Sequence, residues 1–516
     1  MSIRTNPALS RKWIGLAALA TVGLTAAYAG PCEKLTALTI PQTTITSAAD
    51  SPAGPFSPGG PGGGRGGAAR PFPAFCRVAA VAKPVADSEI RIEVWLPESA
   101  AWNGKILGTG NGGYSGALGY ADMERGLRLG YAVAGSDTGH AGSDLKFGLG
   151  HPEKINDWAW RAVHVMTDTA KLIVRSYYGR FAAQSYFSGC STGGQQALTE
   201  AQRFPRDYDG ILAGAPGNNR VRLNVGFLWS WLAANRDATA ALPASKLPLL
   251  QRAVVAACDD LDGVKDGIIG DPRACRFDPA ALECRDADTS ACLTKAQVTA
   301  VRAIYDGAKN PRTGERLYSG WERGSEAGWT GYFVGQREPA RLDFWRYWVF
   351  DDPNWNFRSF DFDRDVAYAD SRVAFLTAND PDLSRFQNRG GKLLIYQGWA
   401  DPVVPPEDTI RYYESLIRSA GRDRTSDTAR LFLIPGMGHC SGGPGPSTFD
   451  GLAALDTWVS QGTAPSRIVA THSTGGKVDR SRPLCPYPLV ARWKGAGSTD
   501  DAASFECAVS LPRGIR

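Results

Sequence analysis

Residues 89–96 run Glu-Ile-Arg-Ile-Glu-Val-Trp-Leu, alternating polar and apolar side chains with the two-residue period of a half-buried strand. Short apolar runs follow at residues 105–108, 131–137, 185–188 and 209–216, most of them closed by glycine, aspartate or proline. Between them, residues 158–178 and 194–203 read as helices, the second stopped by Pro205. Strands alternating with helices predict an α/β chain with a parallel sheet covered on both faces.

The pattern breaks from residue 218 to 388, too long a stretch for a connection between neighbouring strands. It holds Trp229, Trp231, Trp321, Trp329, Trp345, Trp348 and Trp355, seven of the 15 tryptophans in the chain. The stretch therefore reads as an inserted lid domain whose aromatics form its own core, with some lining a cleft. Strand-like runs resume at residues 392–396 and 431–434. The expected layout is a catalytic domain in two parts, 30–217 and 389–516, split by the lid at 218–388. Residues 51–67 are mostly Gly, Pro and Ser and read as a flexible excursion.

The N-terminus changes the picture of where the chain works. Arg4, Arg11 and Lys12 precede an apolar run from 13 to 26 and then Ala27-Tyr28-Ala29. That is the pattern of a signal peptide, residues 1–29, with a small-residue cleavage site; a membrane anchor is the alternative, but the run is short for a span. The expected location is secreted or periplasmic, with no membrane contact after cleavage. Ten cysteines in an exported chain suggest five disulfides. Neighbours in sequence suggest Cys32–Cys76, Cys258–Cys275, Cys284–Cys292 and Cys485–Cys507, leaving Cys190 and Cys440. With 57 basic and 52 acidic residues the charge is too balanced to imply a nucleic-acid partner, and there is no Walker loop or zinc-type Cys/His spacing.

Candidate chemistry centres on Gly189-Cys190-Ser191-Thr192-Gly193, a G-x-S-x-G sequence between an expected strand and an expected helix. That context is the nucleophile elbow of an α/β-hydrolase, with Ser191 at its apex. A serine hydroxyl needs a base to take its proton. His439, just after the run 431–434, fits that role; His140, His151 and His164 precede the elbow, and His472 lies in a polar segment. Asp401, just after the run 392–396, fits the acid that orients the imidazole, with Glu407 and Asp408 as competitors a few residues on. Serine, acid, histidine is the chain order expected of this fold. The residue after the nucleophile, Thr192, and a glycine of the loop 109–114, with Gly113 as candidate, would supply the oxyanion-hole N–H groups. If His439 reaches Ser191, Cys190 and Cys440 come near enough to bridge.

Cys190-Ser191, Asp401 and His439-Cys440 together resemble the tannase and feruloyl esterase family, as do the stretches 435–445 (Pro-Gly-Met-Gly-His-Cys-Ser-Gly-Gly-Pro-Gly) and 482–488. The resemblance covers nearly all of the mature chain, including the lid and the five cysteine pairs. It implies a serine carboxylesterase acting on small aromatic esters such as ferulate, gallate or terephthalate monoesters. Residues 258–268 pack Asp259, Asp260, Asp262 and Asp266 between two cysteines. Hard oxygen ligands on a loop with glycines suit Ca2+, although composition alone favours a solvated acidic turn. The resemblance implies a structural Ca2+ held by the side chains of Asp259, Asp262 and Asp266 and the carbonyls of Val264 and Ile268, set in the lid far from the reacting carbonyl, and no organic cofactor. Val404 stands where the terephthalate-monoester branch carries an aromatic, which favours a feruloyl-type substrate. Arg341, Arg346 and Arg358 are candidates to pair with a substrate carboxylate. Other readings on the same scaffold are a tannase, a terephthalate-monoester hydrolase, a peptidase or acyltransferase, or a catalytically silent ligand-binding protein.

Overall fold

The structure is a computed structural model that describes residues 31–55, 71–237 and 239–509. The expected signal peptide at 1–29 and most of the glycine-rich excursion lie outside the described residues.

A nine-stranded sheet forms the centre. Its strands are β1 (Thr43–Ser51), β2 (Phe75–Ala82), β3 (Ile90–Pro97), β4 (Lys105–Thr109), β5 (Ala132–Ser136), β6 (Gln184–Cys190), β7 (Gly210–Gly214), β8 (Lys392–Gly398) and β9 (Ala429–Ile434), in the order β1-β2-β3-β5-β4-β6-β7-β8-β9. From β5 through β9 every neighbouring pair is parallel, and β1, β2, β3 and β5 pair antiparallel. The apolar runs of β4 to β9 are buried because helices cover both faces. The expected half-burial of β3 is exceeded: it lies inside the sheet between β2 and β5, and Glu93 is buried with it. That carboxylate is satisfied by Arg77 Nε at 2.9 Å, Trp95 Nε1 at 2.8 Å and the Tyr120 hydroxyl at 3.0 Å. The β1–β2 hairpin, which the sequence pattern does not announce, is tied to the short helix before it by Cys32–Cys76.

The chain leaves β4 for β5 on one side and returns to β6 on the other, so the strand order reverses beside β4. In open α/β sheets ligands bind at the carboxyl ends of strands flanking such a reversal. The register aligns those ends: Thr109 pairs with Ser188, Cys190 with Gly214, Gly214 with Tyr396, and Gly398 with Ile434. The segments that follow β4, β6, β8 and β9 therefore share one edge.

Between β7 and β8 the described residues hold helices and loops and no strand of this sheet. Of the seven tryptophans there, Trp231, Trp321, Trp329, Trp345 and Trp348 are buried in one apolar cluster, and Trp229 and Trp355 pack against it. The same cluster takes in Tyr114, Trp158, Val403 and Val404 from outside the stretch. After β9 come two antiparallel ribbons, Ile468–Thr474 with Lys477–Leu484 and Leu489–Trp493 with Phe505–Val509, joined by Cys485–Cys507.

Candidate active site

Ser191 follows β6 directly with φ 65° and ψ −117° and opens the helix Thr192–Arg203. A non-glycine residue in such a conformation stores about 1–3 kcal/mol and persists only where its surroundings enforce it. Here its N–H donates to the Gly214 carbonyl at 2.9 Å, and its own carbonyl accepts from Gln195 at 3.0 Å and Gly217 at 3.1 Å. Gly189 of the elbow and Gly194 just after it are required by contact: a Cβ on residue 189 would stand 2.6 Å from the Gly193 carbonyl, and one on residue 194 would stand 2.2 Å from the Gly214 oxygen.

The loop after β9 brings His439 to the same edge, where its Nδ1 donates to Asp401 Oδ2 at 2.8 Å. Asp401 is fully buried. Its Oδ1 accepts the N–H groups of Val403 at 2.7 Å and Val404 at 3.0 Å, and its Oδ2 also accepts Gln397 Nε2 at 2.8 Å. Four donors thus fix the carboxylate that faces the imidazole. Gln397, itself held by Thr409 at 3.0 Å, is a functional neighbour that the sequence reading missed. Its signal was a lone amide near the end of an otherwise apolar strand. Of the competing acids, Asp408 is buried and faces Asn219 and Tyr318, and neither it nor Glu407 hydrogen-bonds to His439. Cys190 and Cys440, the chain neighbours of Ser191 and His439, form a disulfide with Cα atoms 5.9 Å apart, and Cys440 shares the positive φ of Ser191, 65°. The other four bridges join the expected partners.

The glycine-rich loop after β4 lies against the start of the active-site helix. A Cβ on residue 110 would stand 2.6 Å from Gly193 Cα, and Asn111 N–H donates to Gln196 Oε1 at 3.0 Å. Gly113, at φ 56°, presents its carbonyl to the Thr192 hydroxyl at 2.8 Å. The two expected oxyanion loops are therefore joined through Thr192. Arg220 Nη2 donates to the same hydroxyl oxygen at 3.1 Å, a contact with no forewarning in the sequence. Of the three arginines singled out earlier, Arg346 faces Glu338 and Asp343, both at 3.4 Å, and Arg358 lies over the rings of Trp231 and Phe357. Only Arg341 reaches the site: a Cβ on Gly113 would be 3.6 Å from its Nη1, and its guanidinium lies 5.1 Å from the Tyr114 ring centre.

The acidic loop has the donor chemistry for Ca2+. Asp259 Oδ1 accepts three N–H groups, from Asp266, Gly267 and Ile268 at 2.9–3.1 Å, so the backbone wraps around the carboxylates. Burial pushes Asp262 up to about 6, and the charges of Asp266 and Asp259 add to the rise. Asp266 is raised by burial too, against the pull of Arg482 and Arg480. Carboxylates raised in this way are what a hard cation would relieve. The loop touches the segment that follows β9. A Cβ on Gly436 would stand 3.0 Å from Ile268 Cγ2, so the acidic loop packs on the loop that carries His439, and Asp266 pairs with Arg482 of the following ribbon.

A family model described as tannase and feruloyl esterase matches residues 76–508. The chain belongs to that family. An uncharacterised esterase of Xanthomonas campestris pv. campestris is 40% identical over 97% of this chain and 94% of its own length. A mono(2-hydroxyethyl) terephthalate hydrolase of Piscinibacter sakaiensis is 34% identical over 81% of each chain. The crystal structure of feruloyl esterase B from Aspergillus oryzae superposes with a TM-score of 0.85 at 31% identity, covering 92% of this chain and 99% of that one. This member of the tannase and feruloyl esterase family thus has the α/β-hydrolase fold and is a carboxylic ester hydrolase. Among its described residues no helix is long and apolar enough to cross a membrane.

Proposed function

We propose that this family member is an exported serine carboxylesterase that cleaves esters of aromatic acids of the feruloyl type. Ser191 attacks the ester carbonyl while His439 takes its proton, and the N–H groups of Thr192 and Gly113 hold the oxyanion. The protonated imidazole then gives its proton to the leaving alcohol. Water, activated by the same histidine, hydrolyses the acyl-enzyme and frees the acid and Ser191. Asp401 keeps the imidazole in the useful tautomer and stabilises its charged form.

The observation that carries the reading is the 2.8 Å contact of His439 with the four-donor carboxylate of Asp401, on a loop bridged to the nucleophile's own neighbour. The aromatic class draws support from the relatives' names. Five disulfides suit an oxidising compartment outside the cytoplasm. A structural Ca2+ on Asp259, Asp262, Asp266 and the carbonyls of Val264 and Ile268 belongs to the same reading, as does the treatment of 218–388 as a lid.

One observation favours a second substrate class. Arg341 lies beside Gly113 and makes no ion pair with a carboxylate among the described residues, so a terephthalate monoester, which keeps a free carboxylate, has a cation to meet. Hydrolysis of methyl ferulate, methyl gallate, a terephthalate monoester and p-nitrophenyl acetate, beside Ser191→Ala, tests both. Turnover of methyl ferulate that the alanine variant loses is the expected result. Preference for the terephthalate monoester, abolished by Arg341→Ala, would move the second reading to first place. Full activity in Ser191→Ala would defeat both.

A further inference from the structure

Arg220 is the first residue of the helix Arg220–Ala234 and is only 5% exposed. Among the described residues it makes no ion pair with a carboxylate; its hydrogen-bonding donors meet neutral oxygens. Nε donates to Gln195 Oε1 at 2.8 Å, and Nη2 donates to that same oxygen and to Thr192 Oγ1 at 3.1 Å. Its guanidinium lies 5.5 Å from the ring centre of Tyr114 and 5.2 Å from that of Trp158.

The charges around this cation mostly have the wrong sign for it. The first turn of its own helix is the positive end of a dipole, and Thr192, which it contacts, begins a second helix with its positive end at the same place. Burial pushes the Arg220 pKa down and the nearby Arg341 guanidinium adds to that, against the opposing pull of the Tyr114 and Tyr318 hydroxyls. A buried cation without a partner anion is costly in the resting protein. What would compensate it is a negative charge beside Thr192, and hydrolysis at Ser191 creates one there only when the tetrahedral intermediate forms. The hydrogen bonds point the same way. The Thr192 hydroxyl donates to the Gly113 carbonyl at 2.8 Å and accepts from Arg220, so Arg220 clamps the residue that links the two oxyanion loops.

We infer that Arg220 is a positioning residue of the oxyanion hole, holding Thr192 between the two loops and supplying positive potential that is balanced only as the tetrahedral oxyanion forms. This rests on the esterase reading above.

Arg220→Met, which keeps the length of the stem and removes the charge, is the decisive variant, with Arg220→Lys and Ser191→Ala beside it. Removing a group whose effect is confined to the transition state should lower kcat by about 10- to 100-fold with KM within about threefold. An arylboronic acid, which adds to the serine as a tetrahedral anion, should lose affinity by the same factor as kcat/KM. Tm should move by only a few degrees, because an apolar side chain relieves the buried charge. Arg220→Lys should recover part of kcat and boronate affinity, and it carries the same comparison if the methionine variant melts below assay temperature. Unchanged kcat and boronate affinity would overturn the inference. So would a kcat loss that tracks the unfolded fraction while the folded protein binds boronate normally. An active Ser191→Ala would instead mean that the esterase reading itself has failed.

Discussion

Two buried aspartates stand seven positions apart after β8, and their surroundings give them opposite properties. Asp401 is met by four donors, His439, Gln397, Val403 and Val404. Replacing it by Asn should leave the fold intact but present the wrong partner to the imidazole, lowering kcat by about 10⁴-fold, as the loss of a triad acid does elsewhere. Asp408 has only long contacts, to Asn219 at 3.4 Å and Tyr318 at 3.5 Å, and burial pushes its pKa from 3.8 to about 6. Because the folded-state value is the higher one, its contribution to stability is fully present below about 3.8 and is lost as pH rises through about 6. Above that, the ionised carboxylate costs on the order of 3 kcal/mol. Asp408→Asn should therefore raise Tm relative to the native protein at pH 8, leave it nearly unchanged at pH 4, and keep ester turnover. Thermal melts at the two pH values and one rate assay decide this; a Tm difference of the same size at both pH values would dismiss the assigned titration. Strand-end placement was enough to favour Asp401 from the sequence. Of the four donors around it only His439 was readable; the N–H groups of Val403 and Val404 depend on how the chain turns after the strand, and the aim of the Gln397 amide is set by packing rather than by pattern.

At the scale of elements, the turn from β6 into the helix Thr192–Arg203 was legible because its glycines are dictated by contact. Gly189→Ala would drive a methyl to 2.6 Å from the Gly193 backbone, which can move only by parting strand from helix. That variant should express poorly or melt well below the native protein. The disulfide between this turn and the histidine loop acts across 250 residues of sequence and joins two segments that each carry a residue at φ 65°, Ser191 and Cys440. Replacing both cysteines by alanine should lower stability by about 2–5 kcal/mol. It should also lower kcat more than it raises KM, since the base would no longer be held to the nucleophile's segment. A double variant with native kcat and a lowered Tm would restrict the bridge to stability. The β1–β2 hairpin was not legible, because β1 reads Thr-Thr-Ile-Thr-Ser-Ala-Ala-Asp-Ser with too few apolar positions to set a period. Its strand character comes from pairing with β2 and from the Cys32–Cys76 bridge.

Over the whole molecule, strands β3 to β9 and the edge they share could be read from the sequence because each of these strands carries its own apolar run. The surroundings of the proposed oxyanion loop could not, because they are assembled across the chain: Arg341 and Trp348, from the stretch between β7 and β8, meet Gly113, Tyr114 and Trp158, which precede β6. The acidic loop is a similar case. Its aspartates are obvious in the sequence, but its neighbours are not: Ile268 presses on Gly436 of the histidine loop, and Asp266 pairs with Arg482 of the ribbon that follows. If Ca2+ balances Asp259, Asp262 and Asp266, its removal leaves like charges together on a loop whose Ile268 packs on the segment that holds the catalytic base. Chelation should then lower Tm, by an amount that grows with ion concentration as expected when ligand binds only the folded state, about 2.7 kcal/mol at 100 times Kd. It should also lower kcat through His439 while KM for a small ester such as p-nitrophenyl acetate changes little. Asp262→Asn should lose the calcium-dependent rise in Tm. Calorimetric titration of Ca2+ into the chelator-treated protein, read beside melts and rates, separates the alternatives. One bound ion with coupled loss of Tm and kcat on removal supports the linkage. Binding without any effect on kcat would confine the ion to the insertion, and no binding would leave the acidic loop a solvated turn whose charge Arg480 and Arg482 already offset.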